Sequence, residues 1–256
     1  MTDATTMADA LIKAQRTRSP ILPFTRTNPF LDIETAYKTQ ARVVEHRLED
    51  GEKIVGAKLG MTSKVKRHAL GIDQPVYGRL TSGMLVAPGE PLDLRPLIHP
   101  RAEPELAFLI GRPIVAPVTI AGVLSATEAV LPALEVVDSR YSAAFRLPDS
   151  VADNAGAARV VLGARAVRPA DLVDLSLLGC VLRSRGVIHT AAGGAVMGHP
   201  AGALVWLAEA LGARGEHIGA GSIVLSGGLT ASVELRPQAV VTAEFDGLGS
   251  VGLHCT

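Results

Sequence analysis

The sequence is poor in cysteine and has no net charge. Its 256 residues include two cysteines, Cys180 and Cys255, which are too few for a disulfide-stabilised domain and too far apart for a CxxC metal site. The 25 Lys and Arg residues balance 25 Asp and Glu residues, so the formal net charge is zero. Because nucleic-acid-binding domains usually carry an excess of Lys and Arg, this balance argues against a nucleic-acid partner.

Long uninterrupted hydrophobic runs are also absent, although 48 % of the residues are hydrophobic. No segment offers the roughly 18 consecutive apolar residues of a membrane-spanning helix, so we expect no membrane association. The N-terminal stretch contains Asp3 and Asp9 and no apolar core, unlike a secretory signal peptide. With so little cysteine, the chain is expected in a soluble, reducing compartment, and the cytoplasm is the default.

Hydrophobic periodicity separates a helical N-terminal part from a strand-rich remainder. Residues 6–16 and 33–50 have helical spacing, and a Pro-rich loop joins them. They predict an N-terminal helical arm or cap over residues 1–52. From Lys53 onward, Gly and Pro separate short β-like runs that do not alternate regularly with helices. This pattern predicts an α+β fold, with a metal-binding, β-rich catalytic domain over residues 53–256.

Within that domain the sequence predicts three helices and a strand that contains a proline. The segment after Met61 predicts a short helix that ends at Gly71, and helices are also expected over 117–129 and 200–213. RAEPELAFLIGRPI reads as a strand that contains Pro104. Because proline cannot donate a ladder hydrogen bond, Pro104 predicts an edge strand or a bulge.

Three glutamates in apolar strands are the first candidate site. Glu103 and Glu105 are two residues apart and so project from the same face of a strand, and Glu135 lies in the apolar run LPALEVV. Carboxylates brought together in such surroundings repel one another unless a cation lies between them, and an all-oxygen set suits Mg²⁺, Mn²⁺ or Ca²⁺. The alternatives are a solvated strand face for the first pair and a buried salt bridge for Glu135.

Lys58 is the second candidate, because it interrupts the apolar run IVGAKLGM. A buried lysine can orient a substrate or stabilise an oxyanion, whereas an edge-strand lysine would simply reach out to water. His99 and His199 each precede a proline, where a structural role is expected. The glycine pair Gly227-Gly228 fits neither GxGxxG nor a phosphate-binding loop, so no nucleotide site is predicted.

Several segments together resemble a known enzyme family. They are GAKLGMTSKVK, GIDQPVYGRL, LIHPRAEPELAFLIGRPI, LEVVDSRY, VADNAGAARVVLG, GHPAGALVWLAEALGARGEHIGAGSIVLSGGLTASV and GLGSV. In this order they are similar to the hydratase/decarboxylase family of catechol meta-cleavage pathways, which is related to fumarylacetoacetate hydrolase. The resemblance implies a mixed β-sandwich or roll of the fumarylacetoacetase C-terminal type, with peripheral helices and a small N-terminal helical region.

The resemblance also assigns roles to individual residues. It implies that Glu103, Glu105 and Glu135 bind Mg²⁺, with Mn²⁺ as the alternative, and that Lys58 is the catalytic lysine. It implies a substrate-binding set of Val76, Tyr77, Gly78, Gly156 and Thr230. Two positions depart from the family pattern: Pro104 replaces an Ala that is common between the glutamates, and Gly156 replaces a frequent Ser.

The resemblance distinguishes two branches by a few positions. Hydratases of the family typically carry an acidic residue in a PDYG segment, where this chain has Val76. SGGLTASV and LEVVDSRY are closer to the decarboxylase forms. The implied reaction is loss of CO₂ from 2-oxohex-3-enedioate (4-oxalocrotonate), giving 2-hydroxypenta-2,4-dienoate. A 2-oxopent-4-enoate hydratase and a non-catalytic partner subunit are the alternatives. The implied partners are a small 2-oxo dicarboxylate, the cognate hydratase subunit and further copies of this chain.

Overall fold

The computed structural model describes residues 3–70, 72–87 and 89–256. The helices in this part of the chain are α1 (Ala4–Thr17), α2 (Ile33–Glu49), α3 (Lys64–Leu70), α4 (Ile120–Ala126), α5 (Leu147–Ala152) and α6 (Pro200–Gly212). The strands are β1 (Ile54–Gly60), β2 (Val76–Thr81), β3 (Leu85–Val86), β4 (Arg101–Ile110), β5 (Thr127–Val137), β6 (Ala157–Leu162), β7 (Gly179–Ser184), β8 (Val187–Ala192), β9 (Ile223–Leu225), β10 (Val233–Glu234), β11 (Val240–Phe245) and β12 (Gly249–His254).

Two sheets form the body of the fold. The larger runs β2-β1-β9-β4-β5-β6-β3, and β10 adds to β4 beside β9. The smaller runs β12-β11-β7-β8. The main hydrophobic core joins residues of both sheets to α6; Phe108 on β4, Val241 on β11 and Leu204 on α6 are fully buried in it. This arrangement confirms the predicted α+β class.

The helices α1 and α2 begin where the sequence supplies capping residues. Asp3 accepts a hydrogen bond from the Thr6 amide, and Asp32 accepts one from the Thr35 amide, which satisfies backbone donors that have no partner within the helix. Each helix buries one apolar face, and α2 also packs against α5. The predicted helices over 6–16 and 33–50 are thus confirmed, whereas the domain boundary at residue 52 stays a prediction.

The predicted role of Pro104 is wrong. The strand β4 lies inside the larger sheet, and its pairing with β5 continues without a bulge past Pro104, which is opposite Leu134. On its other side β4 pairs with β10 at one end and with β9 further along. Pro104 falls in the gap between these two short strands, where its carbonyl accepts a hydrogen bond from the Leu229 amide. The missing N–H is tolerated because no ladder hydrogen bond is required there.

The predicted helix over 117–129 is too long. The helix α4 ends at Ala126, and Thr127 already begins β5, because the β-rich run that follows pairs with β4. The helix over 200–213 is confirmed as α6, with Pro200 at its first position. The short helix after Met61 is confirmed as α3, and its predicted end, Gly71, lies outside the described residues. No helix in the described ranges is long and apolar enough to cross a membrane.

Candidate active site

The three predicted carboxylates meet on the paired strands β4 and β5. Glu103 and Glu135 are directly opposite each other in the register, and Glu105 lies two residues further along the same face of β4. Carboxylate oxygens of the three side chains lie within 4.8 Å of one another. Glu105 and Glu135 are fully buried, and Glu103 is half-buried. The alternative of a solvated strand face is therefore wrong for Glu105.

The buried carboxylates have more acceptor atoms than the chain supplies donors. Glu105 Oε2 accepts a hydrogen bond of 2.7 Å from the Gly227 amide. Glu105 Oε1 and Glu135 Oε1 have no hydrogen-bond partner among the residues that the structure describes. Burial, and next the charge of Glu135, raise the pKa of Glu105 well above its usual value. Buried acceptors without donors, in an all-oxygen set, are suited to a hard divalent cation.

Lys58 supplies the positive charge next to this cluster. Its Nζ lies 3.0 Å from Glu135 Oε2 and donates a hydrogen bond of 3.0 Å to the Ala155 carbonyl. The lysine is 3 % exposed, on a strand that lies between β2 and β9, so the alternative of an edge-strand lysine is wrong. Burial lowers the pKa of Lys58, but the charges of the three glutamates outweigh burial and raise it above its usual value. The carboxylates therefore favour the charged form of the lysine.

A strained turn aims the Ala155 carbonyl at Lys58. Asn154, Ala155 and Gly156 have φ angles of 53°, 52° and 73°, a left-handed run that is costly for the two residues with side chains. The Asn154 side chain accepts a hydrogen bond from the Arg79 amide and donates one to the Arg79 carbonyl. Gly78 makes this approach feasible, because a Cβ there would lie 2.3 Å from the Asn154 carbonyl oxygen.

A cavity of about 590 Å³ opens beside the carboxylates. Glu103, Lys58, Val76 and Gly156 line it, together with residues that sequence reasoning left without a functional role. Those additional residues include His99, Arg101, Asp138, Phe145, Ser150, Asp153 and Gly228. The cavity therefore joins the charged cluster to a wall of mixed polar and apolar side chains, as expected of a small-molecule site.

Three members of the predicted substrate-binding set lie elsewhere. Tyr77, Gly78 and Thr230 are not among the described residues that line the cavity. Tyr77 follows Val76 on β2, so its side chain faces the opposite side, where its ring stacks on Tyr37 with centroids 4.7 Å apart. The Thr230 hydroxyl donates to the neighbouring Ala231 carbonyl. A substrate-binding role for these three stays a prediction; the contacts that the structure shows for Tyr77 and Gly78 are packing contacts.

Sequence reasoning missed two glycines that shape the carboxylate site. Gly227 has a φ of +113°, and a Cβ there would lie 2.2 Å from Thr62 Oγ1. A Cβ on Gly228 would lie 2.4 Å from Glu103 Oε2. The pair lets the backbone approach two carboxylates closely. The sequence signal is its place just past the buried strand β9, separated from Leu225 by one residue.

Asp153 was also missed as a cavity residue. It is fully buried and pairs with Arg140, whose backbone amide and guanidinium both donate to the carboxylate. Burial raises the pKa of Asp153 to about 6, although the nearby Arg140 charge opposes the increase. Arg140 also donates to the Gln15 side-chain oxygen, 3.2 Å away on α1. A carboxyl group that titrates near neutral pH in a cavity is suited to proton transfer.

Comparison with known proteins identifies the family of this chain. Residues 53–254 match the family model for the fumarylacetoacetate (FAA) hydrolase C-terminal region. A 4-oxalocrotonate decarboxylase from Pseudomonas putida is 39 % identical over 248 residues, 96 % of this chain and 94 % of the relative. A 2-keto-4-pentenoate hydratase from Paraburkholderia xenovorans (strain LB400) is 37 % identical over 247 residues, 95 % of this chain and 91 % of the relative.

A solved structure extends the agreement to the whole fold. The 4-oxalocrotonate decarboxylase from Pseudomonas putida G7, complexed with magnesium and adipate, superposes with a TM-score of 0.94 at 35 % identity, covering 99 % of this chain and 97 % of the other. A second structure of that decarboxylase contains calcium and acetate, so relatives with this fold bind divalent cations. The glutamate cluster of this chain could hold such an ion. The chain is an enzyme that belongs to the fumarylacetoacetate hydrolase family.

Proposed function

We propose that this chain is a divalent-metal-dependent decarboxylase that converts 2-oxohex-3-enedioate to 2-hydroxypenta-2,4-dienoate and CO₂. The observation that carries the proposal is Val76, which lines the cavity at the position where the hydratase pattern of the family has an acidic residue. An apolar side chain at this position suits the departure of neutral CO₂, and it supplies no carboxyl group there to direct water onto the product.

The cluster of Glu103, Glu105 and Glu135 fits a divalent ion, because two buried carboxylate oxygens have no donor in the described part of the chain. These residues would hold Mg²⁺ or Mn²⁺, which supplies Lewis-acid stabilisation of the negative charge that develops on the 2-oxo group. The proposed reaction breaks the bond between C5 and the distal carboxylate carbon. Its electron pair moves through the conjugated carbons to the 2-oxo oxygen, which then takes a proton.

The chain's own residues contribute charge and position. Lys58 is fixed by Glu135 and by the Ala155 carbonyl, so its ammonium group presents a positive charge in the cavity wall without having to reorganise. Gly156, which follows Ala155, also lines the cavity. The buried position of Lys58 keeps water away from the charge, which strengthens its effect on a developing oxyanion.

The direct test presents the purified protein with 2-oxohex-3-enedioate and, separately, with 2-hydroxypenta-2,4-dienoate, in Mg²⁺ and in EDTA. We expect CO₂ release from the first compound in Mg²⁺ and its loss in EDTA. Release that persists without metal would contradict the mechanism. A Glu105→Ala variant as active as the parent protein would instead favour a non-catalytic partner subunit whose activity comes from elsewhere.

A 2-oxopent-4-enoate hydratase is the second candidate, because Asp153 provides a cavity carboxyl group whose pKa is raised to about 6. Such a group could deliver the proton that hydration requires. Efficient hydration of isolated 2-hydroxypenta-2,4-dienoate, lost in Asp153→Asn, would favour this candidate. Parallel assays on the two compounds therefore separate the two activities.

A further inference from the structure

A second concave site lies on the far side of the Arg140–Asp153 pair, between the N-terminal helices and the larger sheet. Five arginines line this hollow of about 580 Å³: Arg16, Arg18, Arg47, Arg95 and Arg159. Of the described residues that line it, only Asp93 is a carboxylate. Because the chain as a whole has no net charge, this concentration of positive charge is local. We name it the arginine hollow.

The carboxylates of the chain neutralise only part of this charge. Asp93 binds Arg95 through two hydrogen bonds of 2.9 Å. Arg47 has Glu52 at 3.3 Å, in an adjoining smaller cavity. These two ion pairs account for two of the five guanidinium groups.

The other three guanidinium groups contact no carboxylate among the residues that the structure describes. Arg18 donates to the Arg95 carbonyl and Arg159 to the Ala158 carbonyl, at 3.1 Å and 2.8 Å. Arg16 makes no hydrogen bond or ion pair within the described ranges and is exposed. Carbonyl oxygens leave most of the donor groups of a guanidinium unused, so the hollow presents several free N–H groups.

Burial makes this excess of positive charge costly. Arg47 and Arg159 are only partly exposed. Burial lowers the pKa of Arg47, and the charges of Arg140 and Arg159 lower it further against the opposing effect of Glu52. Like charges held together in a concave surface focus a positive potential, which attracts anions.

We propose that the arginine hollow binds a small multivalent oxyanion, one that carries phosphate or carboxylate groups. Guanidinium groups pair with both in the same two-pronged geometry, and several of them around one hollow favour a ligand with more than one negative charge. The volume of about 580 Å³ is in the range of small-molecule sites. This site is distinct from the carboxylate cluster, because none of the three glutamates lines the hollow.

The hollow is connected to the catalytic cavity through two side chains, Gln15 and Arg140. Gln15 lines the hollow, and its amide nitrogen donates to the Pro96 carbonyl while its oxygen accepts from Arg140. Arg140 in turn holds Asp153 in the catalytic cavity. Two side-chain contacts, Gln15–Arg140 and Arg140–Asp153, therefore separate the hollow from a residue of the cavity wall.

The test is calorimetric titration of the full chain, saturated with Mg²⁺, with inorganic phosphate and separately with succinate, at an ionic strength held constant with NaCl. Arg16→Gln removes one charge from an exposed side chain and should leave folding unchanged. Arg42→Gln is the matched control, because Arg42 is an exposed arginine on α2 that pairs with Glu45 and does not line the hollow.

We expect saturable binding of at least one anion with a dissociation constant of about 1 mM or lower. Arg16→Gln should weaken it about 10-fold, the loss typical of one charge-assisted pair, and Arg42→Gln should not. The anion whose binding is weakened by Arg16→Gln identifies the phosphate or the carboxylate class. Absence of saturable binding, or equal effects of the two variants, would overturn the proposal. So would a change in sedimentation with Arg16→Gln and no anion binding, which would assign the hollow to a subunit interface.

Discussion

Replacing Lys58 with methionine tests how far its positive charge stabilises the negatively charged carboxylate cluster. The ammonium group lies 3.0 Å from Glu135 Oε2, and both groups are buried. At an effective dielectric constant of about 20, unit charges at this separation attract each other by about 5 kcal/mol. Part of that attraction offsets the cost of removing both groups from water, and loss of one partner from a buried pair usually costs about 3–5 kcal/mol.

We therefore expect Lys58→Met to lower the free energy of unfolding of the metal-free protein by about 3–5 kcal/mol. Saturating Mg²⁺ should reduce this difference, because a bound dication gives the carboxylates the positive charge that the variant lacks. The measurement is urea unfolding in EDTA and in Mg²⁺, followed by far-UV circular dichroism.

Lys53→Met is the matched control, since Lys53 is an exposed lysine just before the same strand. Its free energy of unfolding should stay within about 0.5 kcal/mol of the parent in both conditions. The reasoning fails if metal-free Lys58→Met is within about 1 kcal/mol of the parent, or if Mg²⁺ leaves the difference between the two proteins unchanged.

Three further predictions concern the same cavity. Gly228→Ala should leave the unfolding midpoint almost unchanged but weaken Mg²⁺ binding at least about 10-fold in calorimetry, because the new Cβ displaces the flexible Glu103 carboxylate; unchanged affinity would contradict this. Mg²⁺ at about 100 times its dissociation constant should add about 2.7 kcal/mol to the free energy of unfolding, and an equal gain in Glu105→Gln would show that it binds elsewhere. Because burial raises the pKa of Asp153 to about 6, the folded chain retains this proton to higher pH than the unfolded chain. The Asp153 contribution to stability should thus fall by about 2 kcal/mol from pH 4 to pH 7, and equal slopes for the parent and Asp153→Asn would refute this.

The features that could be predicted most reliably from the sequence are those that depend on the spacing of nearby residues along the chain. The helices α2 and α6 have an apolar period and terminal residues that identify them without tertiary information. The glutamate cluster could be predicted because charged residues are conspicuous within apolar strand sequences. The close approach of the glutamates could not be predicted, since it depends on the register that sets Glu103 opposite Glu135.

Features that depend on distant contacts escaped prediction. The hairpin of β7 and β8 has an outer strand whose hydrophobic residues Val187 and Ile188 are exposed, and it is held by β11 from the far end of the chain. The role of Pro104 was misjudged because it follows from the gap between two strands more than a hundred residues away. Likewise, the placement of Gly227 and Asp153 follows from the folding of loops around the cluster, which composition does not encode.

The gap in the sheet at Pro104 has a consequence for how this scaffold can diversify. Residues 226–232 lie between β9 and β10, where the ladder of hydrogen bonds to β4 is interrupted. In this stretch the Gly227 amide donates to Glu105 and the Leu229 amide donates to the Pro104 carbonyl. Substitutions in this short stretch can therefore change the shape of the carboxylate site while the extensive β4–β5 pairing stays intact. Libraries that keep Gly227, where a Cβ would lie 2.2 Å from Thr62 Oγ1, and vary its neighbours in this stretch would explore new shapes of the carboxylate site.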